Sequence, residues 1–383
     1  MQINIYYKTG QGNTFGEQLD NLLSHYTPKG NTIRLVLFGN PENRQEFHDQ
    51  RRLASQKLSS YFVGRPPVFT YVAQPPVERF QLAMEVTELE TEIGTQIFYK
   101  QKDDLPYIIV QTGGVKVLFV GGASGDEEED CIQKQSEMIF SGLEEIFRLE
   151  GMPVSSIVRQ WNYIEKITRI AGKHQHYQEF NDARSWFYLN TEWHDGFPAA
   201  TGIGTEYGGV IVDLDAVYTN GSDIRIVALN NSLQVPAHDY SKAVLIAPDD
   251  EKCSGVTTPK FERGKMILRG GEGTIYVSGT AAIRGETSYI NQGIEEQTRI
   301  TLENIEHLIS LETLAGSGAK KFTKAEISSL RIYLKEVSFF EPCKRIVEEI
   351  YPGVPAVYLK ADICREELLV EIEGMARVKL WSD

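Results

Sequence analysis

The run Ala361-Asp-Ile-Cys-Arg-Glu-Glu-Leu-Leu-Val-Glu-Ile-Glu-Gly-Met-Ala376 holds the residues best suited to acid–base chemistry. Leu369, Glu371 and Glu373 alternate with Leu368, Val370 and Ile372. That period of two predicts a strand with both carboxylates on one face. Such a face is usually solvated. If it is buried instead, the charged form of Glu371 is disfavoured, and Glu373 adds a like charge that raises its pKa further. A carboxyl group kept neutral in this way can donate a proton near pH 7.

Other patterns point to less. Gly202-Ile-Gly204 has no Lys-Ser/Thr after it and opens no helix, so close backbone packing is a better reading than a phosphate loop. His174 and His176 lack a third spaced ligand, which favours a polar loop over zinc. No Ser-His-Asp or Gly-x-Ser-x-Gly arrangement is present.

The chain has 383 residues, 41% hydrophobic and 24% charged, as in soluble globular proteins. No run of about 18 apolar residues predicts a membrane span. Met1-Gln-Ile-Asn-Ile-Tyr-Tyr-Lys8 reads as a first strand, with no apolar region of a secretory signal. Cys131, Cys253, Cys343 and Cys364 are scattered, with neither a metal spacing nor a disulfide framework, so a reducing cytoplasm is expected. The net charge of −14 argues against nucleic acid and anionic membranes as partners. A small anionic substrate then needs a local arginine cluster. The acidic run Asp126–Asp130 reads as a solvated loop.

The elements that must position these residues repeat. Val117–Ser124 is like Thr274–Ala281, each an apolar strand ending in small residues. A helical pattern follows each, at Ser136–Leu149 and Glu295–Leu311. Ser155–Arg159 then matches Ser328–Arg331, which places Arg159 and Arg331 at equivalent points early in a strand. Single strands are predicted over Tyr107–Val120 and Ile203–Asp213, and helices over Gln178–Leu189 and Lys324–Leu330. The expectation is an α+β chain of two mixed sheets with helices on one face, divided into residues 1–170 and 171–383.

Arg159-Gln-Trp-Asn-Tyr-Ile164, Tyr177-Gln-Glu-Phe-Asn-Asp-Ala-Arg184, Phe197-Pro-Ala-Ala-Thr-Gly-Ile-Gly204, Val277-Ser-Gly-Thr-Ala-Ala282 and the Cys364…Glu371 pair occur in that order. Together they resemble the chorismatases, a branch of the reactive-intermediate deaminase (YjgF-like) superfamily. Gln297-Thr-Arg-Ile-Thr-Leu-Glu-Asn-Ile305 is similar to a helix of the wider superfamily. Pro259-Lys-Phe-Glu-Arg263 is similar to a Ser-Pro-x-Phe-x-Arg motif of the family, but Ser241–Thr258 is more polar than its counterpart. Imine deaminases of the superfamily carry an arginine where this chain has Ala356, so simple imine deamination is not expected.

The resemblance implies two YjgF-like units and a cytoplasmic enzyme that cleaves the enolpyruvyl ether of chorismate without metal or organic cofactor. It implies Glu371 as the catalytic acid and Cys364 beside it. Chorismate carries two carboxylates, which Arg binds through a bidentate fork. Arg159, Arg184 and Arg331 are the expected clamps, with Tyr240 and Gly279 as further substrate contacts. A glycine at 279 together with a cysteine at 364 accompanies 3-hydroxybenzoate formation in the family. The resemblance leaves the assembly open between monomer and trimer. Another enol ether or enamine as substrate, a non-catalytic binding protein and a structural protein are the alternatives.

Overall fold

The structure, a computed structural model, describes residues 2–78, 82–126, 129–171, 174–221, 224–241, 257–316, 318 and 321–381. Cys253 lies outside the described residues.

The chain begins β1 (Gln2–Thr9), α1 (Phe15–Ser24), β2 (Asn31–Gly39), α2 (Arg44–Tyr61), β3 (Val68–Val72), β4 (Leu82–Glu90). These strands form one sheet in the order β1-β4-β2-β3, with β2 and β3 parallel. A parallel pair needs a crossover, and α2 supplies it. Thr14 and Glu17 form a capping box that starts α1, and the Asn43 side chain caps α2 at Glu46.

A second unit follows with β5 (Gln96–Lys102), β6 (Leu105–Thr112), β7 (Val115–Ser124), α3 (Ile132–Glu150), β8 (Ile157–Glu165), the two-residue strands β9 (Ile170–Ala171) and β10 (His174–Gln175), α4 (His176–Tyr188), β11 (Ala199–Thr205) and β12 (Val210–Thr219). Its six-stranded sheet runs β5-β6-β7-β12-β8-β11, and β8–β11 is its parallel pair. The strand expected over Tyr107–Val120 is a hairpin. Gly113 and Gly114 both have positive φ and turn the chain there. The strand expected over Ile203–Asp213 likewise divides into β11 and β12, around the positive-φ pair Gly208–Gly209.

The third unit comprises β13 (Ile224–Leu229), β14 (Gly264–Arg269), β15 (Glu272–Ala281), the short β16 (Ile283–Arg284) and β17 (Thr287–Ser288), α5 (Ile294–Leu308), α6 (Leu311–Gly316), β18 (Glu326–Leu334), α7 (Phe340–Ile350), β19 (Ala356–Lys360) and β20 (Val370–Lys379). Its sheet runs β13-β14-β15-β20-β18-β19, with β18–β19 parallel. Residues 326–330 belong to β18, not to a helix. Ile327, Leu330 and Ile332 are buried there, so sheet packing overrides the local helical preference.

The second and third units therefore share one connectivity, the α+β duplication expected. The first sheet repeats the last four strands of that connectivity, with α1 and α2 in the places of the other units' helices. The middle sheet draws strands from both sides of the boundary expected at 170/171, because the crossover from β8 to its parallel partner β11 passes through α4. Helices α3 and α4 cover one face of the middle sheet, α5 and α7 one face of the third. A central core gathers Phe38, Tyr71, Phe119, Tyr163, Tyr276 and Tyr333 from all three sheets. Among the described residues no helix is long and apolar enough to cross a membrane.

Candidate active site

β20 is a strand whose Glu371 and Glu373 share a face, and both are buried, at 4% and 2% exposure. The usual solvated face is therefore absent. The two carboxylates meet different surroundings. Glu373 accepts from Arg159 and from the Thr201 hydroxyl at Oε2. It also accepts from Tyr333 OH at 3.0 Å and Trp161 Nε1 at 3.2 Å at Oε1. Glu371 instead faces a cavity of about 800 Å³, open mouth included, at the junction of the second and third units. Burial pushes its carboxyl group up to about 8, and the negative charge of Glu373 adds to the rise. Arg159 and Arg263 oppose that shift without cancelling it.

The opposite wall is α4. Tyr177, Asn181 and Arg184 lie four and three residues apart, so they project from one helix face. Arg184 is 1% exposed and donates to Asn181 Oδ1 at 2.6 Å. Arg263, directly before β14, is 4% exposed and donates to Tyr240 OH at 2.6 Å and Val235 O at 2.9 Å. Neither forms an ion pair among the described residues. A buried guanidinium without a counter-ion is costly, and an anionic ligand would relieve that cost. Arg365 brings a third cation, held by Glu286 O and Ser288 Oγ. The guanidiniums of Arg263 and Arg365 lie 5.5 and 5.4 Å from the centroid of the Tyr240 ring.

Cys364 and Gly279 also line this cavity. Burial, then the charge of Glu371, pushes the Cys364 thiol up to about 12, so it is a neutral thiol. Gly279 sits in a β-bulge where the β15–β20 register shifts between Val277 and Thr280. A methyl group there would overlap Oε1 of Glu371. The glycine thus makes room for the Glu371 carboxyl group.

Arg159 and Arg331 stand elsewhere. Each is buried in an ion-pair ring around the centre of the molecule. Arg34 of the first sheet pairs with Asp215 of the second at 2.6 Å, Arg159 of the second with Glu373 of the third, and Arg331 of the third with Glu85 of the first at 2.6 Å. Arg331 also reaches Glu373 at 3.2 Å. Arg331 donates through Nε and Nη2 to Glu85, Arg159 donates through Nη2 to Glu373, and neither lines the cavity at Glu371, so the expectation that they clamp substrate is corrected: they tie the three sheets together. The equivalence of Arg159 and Arg331 in the repeat is real, but its meaning is architectural. Arg184, Tyr240, Gly279, Cys364 and Glu371 line one cavity, and the further arginines in its lining are Arg263 and Arg365, not Arg159 and Arg331. The signal for Arg263 lies in Pro259-Lys-Phe-Glu-Arg263; Arg365 has none beyond its adjacency to Cys364.

Residues 101–215, nearly the whole middle unit, match the family described as chorismatase FkbO/Hyg5-like, N-terminal. A 3-hydroxybenzoate synthase of Streptomyces hygroscopicus is 32% identical over 235 residues, 59% of this chain and 65% of that protein. A chorismatase of Streptomyces rapamycinicus is 28% identical over 244 residues, 62% of this chain and 68% of that protein. The chain thus aligns with somewhat less than two thirds of the length of the first of these. A crystal structure of a chorismatase has the same fold, with a TM-score of 0.68 over 98% of this chain and 99% of that one at 19% identity. The chain thus has the fold of that chorismatase, and its residues 101–215 match the chorismatase FkbO/Hyg5-like N-terminal family.

Proposed function

We propose that this protein cleaves the enolpyruvyl ether of chorismate, with 3-hydroxybenzoate and pyruvate as products. The observation that carries the reading is the pairing of a buried Glu371, its carboxyl group pushed up to about 8, with two buried arginines that have no ion-pair partner among the described residues, in one cavity. Arg184 and Arg263 bind the two carboxylates, and Arg365 adds to the field at the mouth. Glu371 protonates the methylene carbon of the enol ether, which becomes a methyl group beside an oxocarbenium ion. The substrate's own ring hydroxyl then displaces the pyruvyl oxygen and leaves a strained ring oxide with pyruvate, the released hydroxyl proton being taken up again by the oxide oxygen as the oxide opens. Opening of that oxide and loss of a ring proton give the aromatic product, so no water is consumed. The ring proton replaces the one Glu371 gave up. Attack by water on the oxocarbenium ion would instead give a dihydrodiol.

The residues that line the cavity come from the second and third units of the chain. The test is incubation with chorismate, with pyruvate read by lactate dehydrogenase and NADH, and the ring product by proton NMR. Stoichiometric pyruvate with aromatic 3-hydroxybenzoate signals supports the reading. Unchanged chorismate sinks it.

A further inference from the structure

The junction between the first and second units repeats the geometry of the active junction without an acid. Thr70 is the third residue of β3, and Thr201 is the third residue of β11. Gly122 and Gly279 lie in matching bulges of β7 and β15. Asp213 and Glu373 face them from the last strands, β12 and β20. Ile211, opposite Ser124, stands where Glu371, opposite Ala281, stands in the third unit.

Both junctions use these groups to hold the bulge. In the first, Thr70 Oγ1 donates to Asp213 at 2.8 Å, and Gly122 N donates directly to Asp213 Oδ1 at 2.7 Å. In the second the carboxylate is one methylene longer and is engaged by Arg159. The threonine is therefore interposed. Gly279 N donates to Thr201 Oγ1 at 3.0 Å, Arg159 Nη2 donates to the same oxygen at 2.7 Å, and the hydroxyl proton goes to Glu373. Thr201 Cγ2 also lies 3.0 Å from the position a Cβ on Gly279 would take. One side chain thus fastens the glycine that touches the acid to the central ion-pair ring.

We propose that Thr201 is a positioning residue: its hydroxyl holds the bulged strand at Gly279 against the Glu371 carboxyl group and so fixes the direction of proton delivery. This rests on the reading of Glu371 as the acid. Without the hydroxyl, the Gly279 amide loses its acceptor, the bulge loosens, and water reaches the carboxyl group. The repeated geometry at the first junction supplies the control, because Thr70 holds a bulge where Ile211 stands in the place of Glu371.

The experiment compares Thr201→Val, Thr201→Ser and Thr70→Val by kcat, KM and thermal unfolding. In parallel, the ¹³C resonance of the Glu371 carboxyl group, assigned through Glu371→Gln, is titrated in ligand-free protein. Thr201→Val is expected to lose roughly 10²-fold in kcat, the scale of a misplaced reacting group, with KM little changed. Its carboxyl titration moves down toward the ordinary carboxylate range as water enters. Thr201→Ser keeps both values close to wild type. Thr70→Val loses stability but keeps kcat and the titration. Equal kcat losses in Thr201→Val and Thr70→Val, or an unmoved Glu371 titration in Thr201→Val, overturn the proposal. If Thr201→Val does not fold, Thr201→Cys is read in the same way. Should wild type fail to turn over chorismate, the proposed function falls, and the NMR arm still decides the role of Thr201.

Discussion

Gly279 and Glu371 occupy adjoining space so tightly that any Cβ at position 279 displaces Oε1 of the carboxyl group. The end of a flexible side chain can move, so Gly279→Ala turns the acid instead of unfolding the site. We expect slower pyruvate release from Gly279→Ala. Combining it with Cys364→Ala enlarges the cavity on the ring side and admits water. The double variant should then shift product toward the dihydrodiol, seen by proton NMR after full conversion. Purely aromatic product at the wild-type rate would show that these positions do not steer the outcome.

The pH dependence follows from the Glu371 carboxyl group. Burial raises it to about 8, and the proton-bound form is the one that donates. kcat should be flat below that value and fall about tenfold per pH unit above it. Folding is linked with the same sign. The folded value lies above the ordinary 4.5, so this proton's contribution to stability is full below about 4.5 and is lost as pH rises through about 8. A pH–rate profile from 6 to 10, with Glu371→Gln as the non-titrating reference for unfolding, checks both. A limb of kcat that rises with pH in that range would contradict the acid role.

Two classes of arginine should separate cleanly. Arg184→Lys and Arg263→Lys lose bidentate contacts to the substrate carboxylates and should raise KM roughly tenfold or more, with small effects on unfolding. Arg331→Lys breaks the fork to Glu85 and should cost about 1.5–3 kcal/mol of stability. Steady-state kinetics beside thermal unfolding reads both. If Arg331→Lys raises KM as far as Arg184→Lys at wild-type stability, the ring has a substrate role after all.

The contrast between these arginines shows what the sequence could convey. The alternation through Glu371 and Glu373 sufficed for a strand and a shared face, because a period of two is a local property. The burial of that face was not local. It depends on α4 and β11 of the second unit closing over the third, a contact between residues far apart in sequence. Arg159 and Arg331 have the same local setting as a substrate clamp, and only their partners Glu373 and Glu85 reveal another task. Arg263 carried a usable signal in its motif, whereas Arg365 lines the cavity with no motif to mark it. The hairpin at Gly113–Gly114 and the turn at Gly208–Gly209 were hidden because both flanking strands are buried and apolar, leaving only the glycines as punctuation.

The account stands on Glu371 as the donor of a proton to carbon. The most direct measurement is the initial rate of pyruvate release from chorismate by Glu371→Gln against wild type, at pH 7 and matched folded concentration. Glutamine fills nearly the same space but has no acidic proton, so the rate should fall by about 10²–10⁴-fold. A Glu371→Gln protein that releases pyruvate at the wild-type rate would contradict the account.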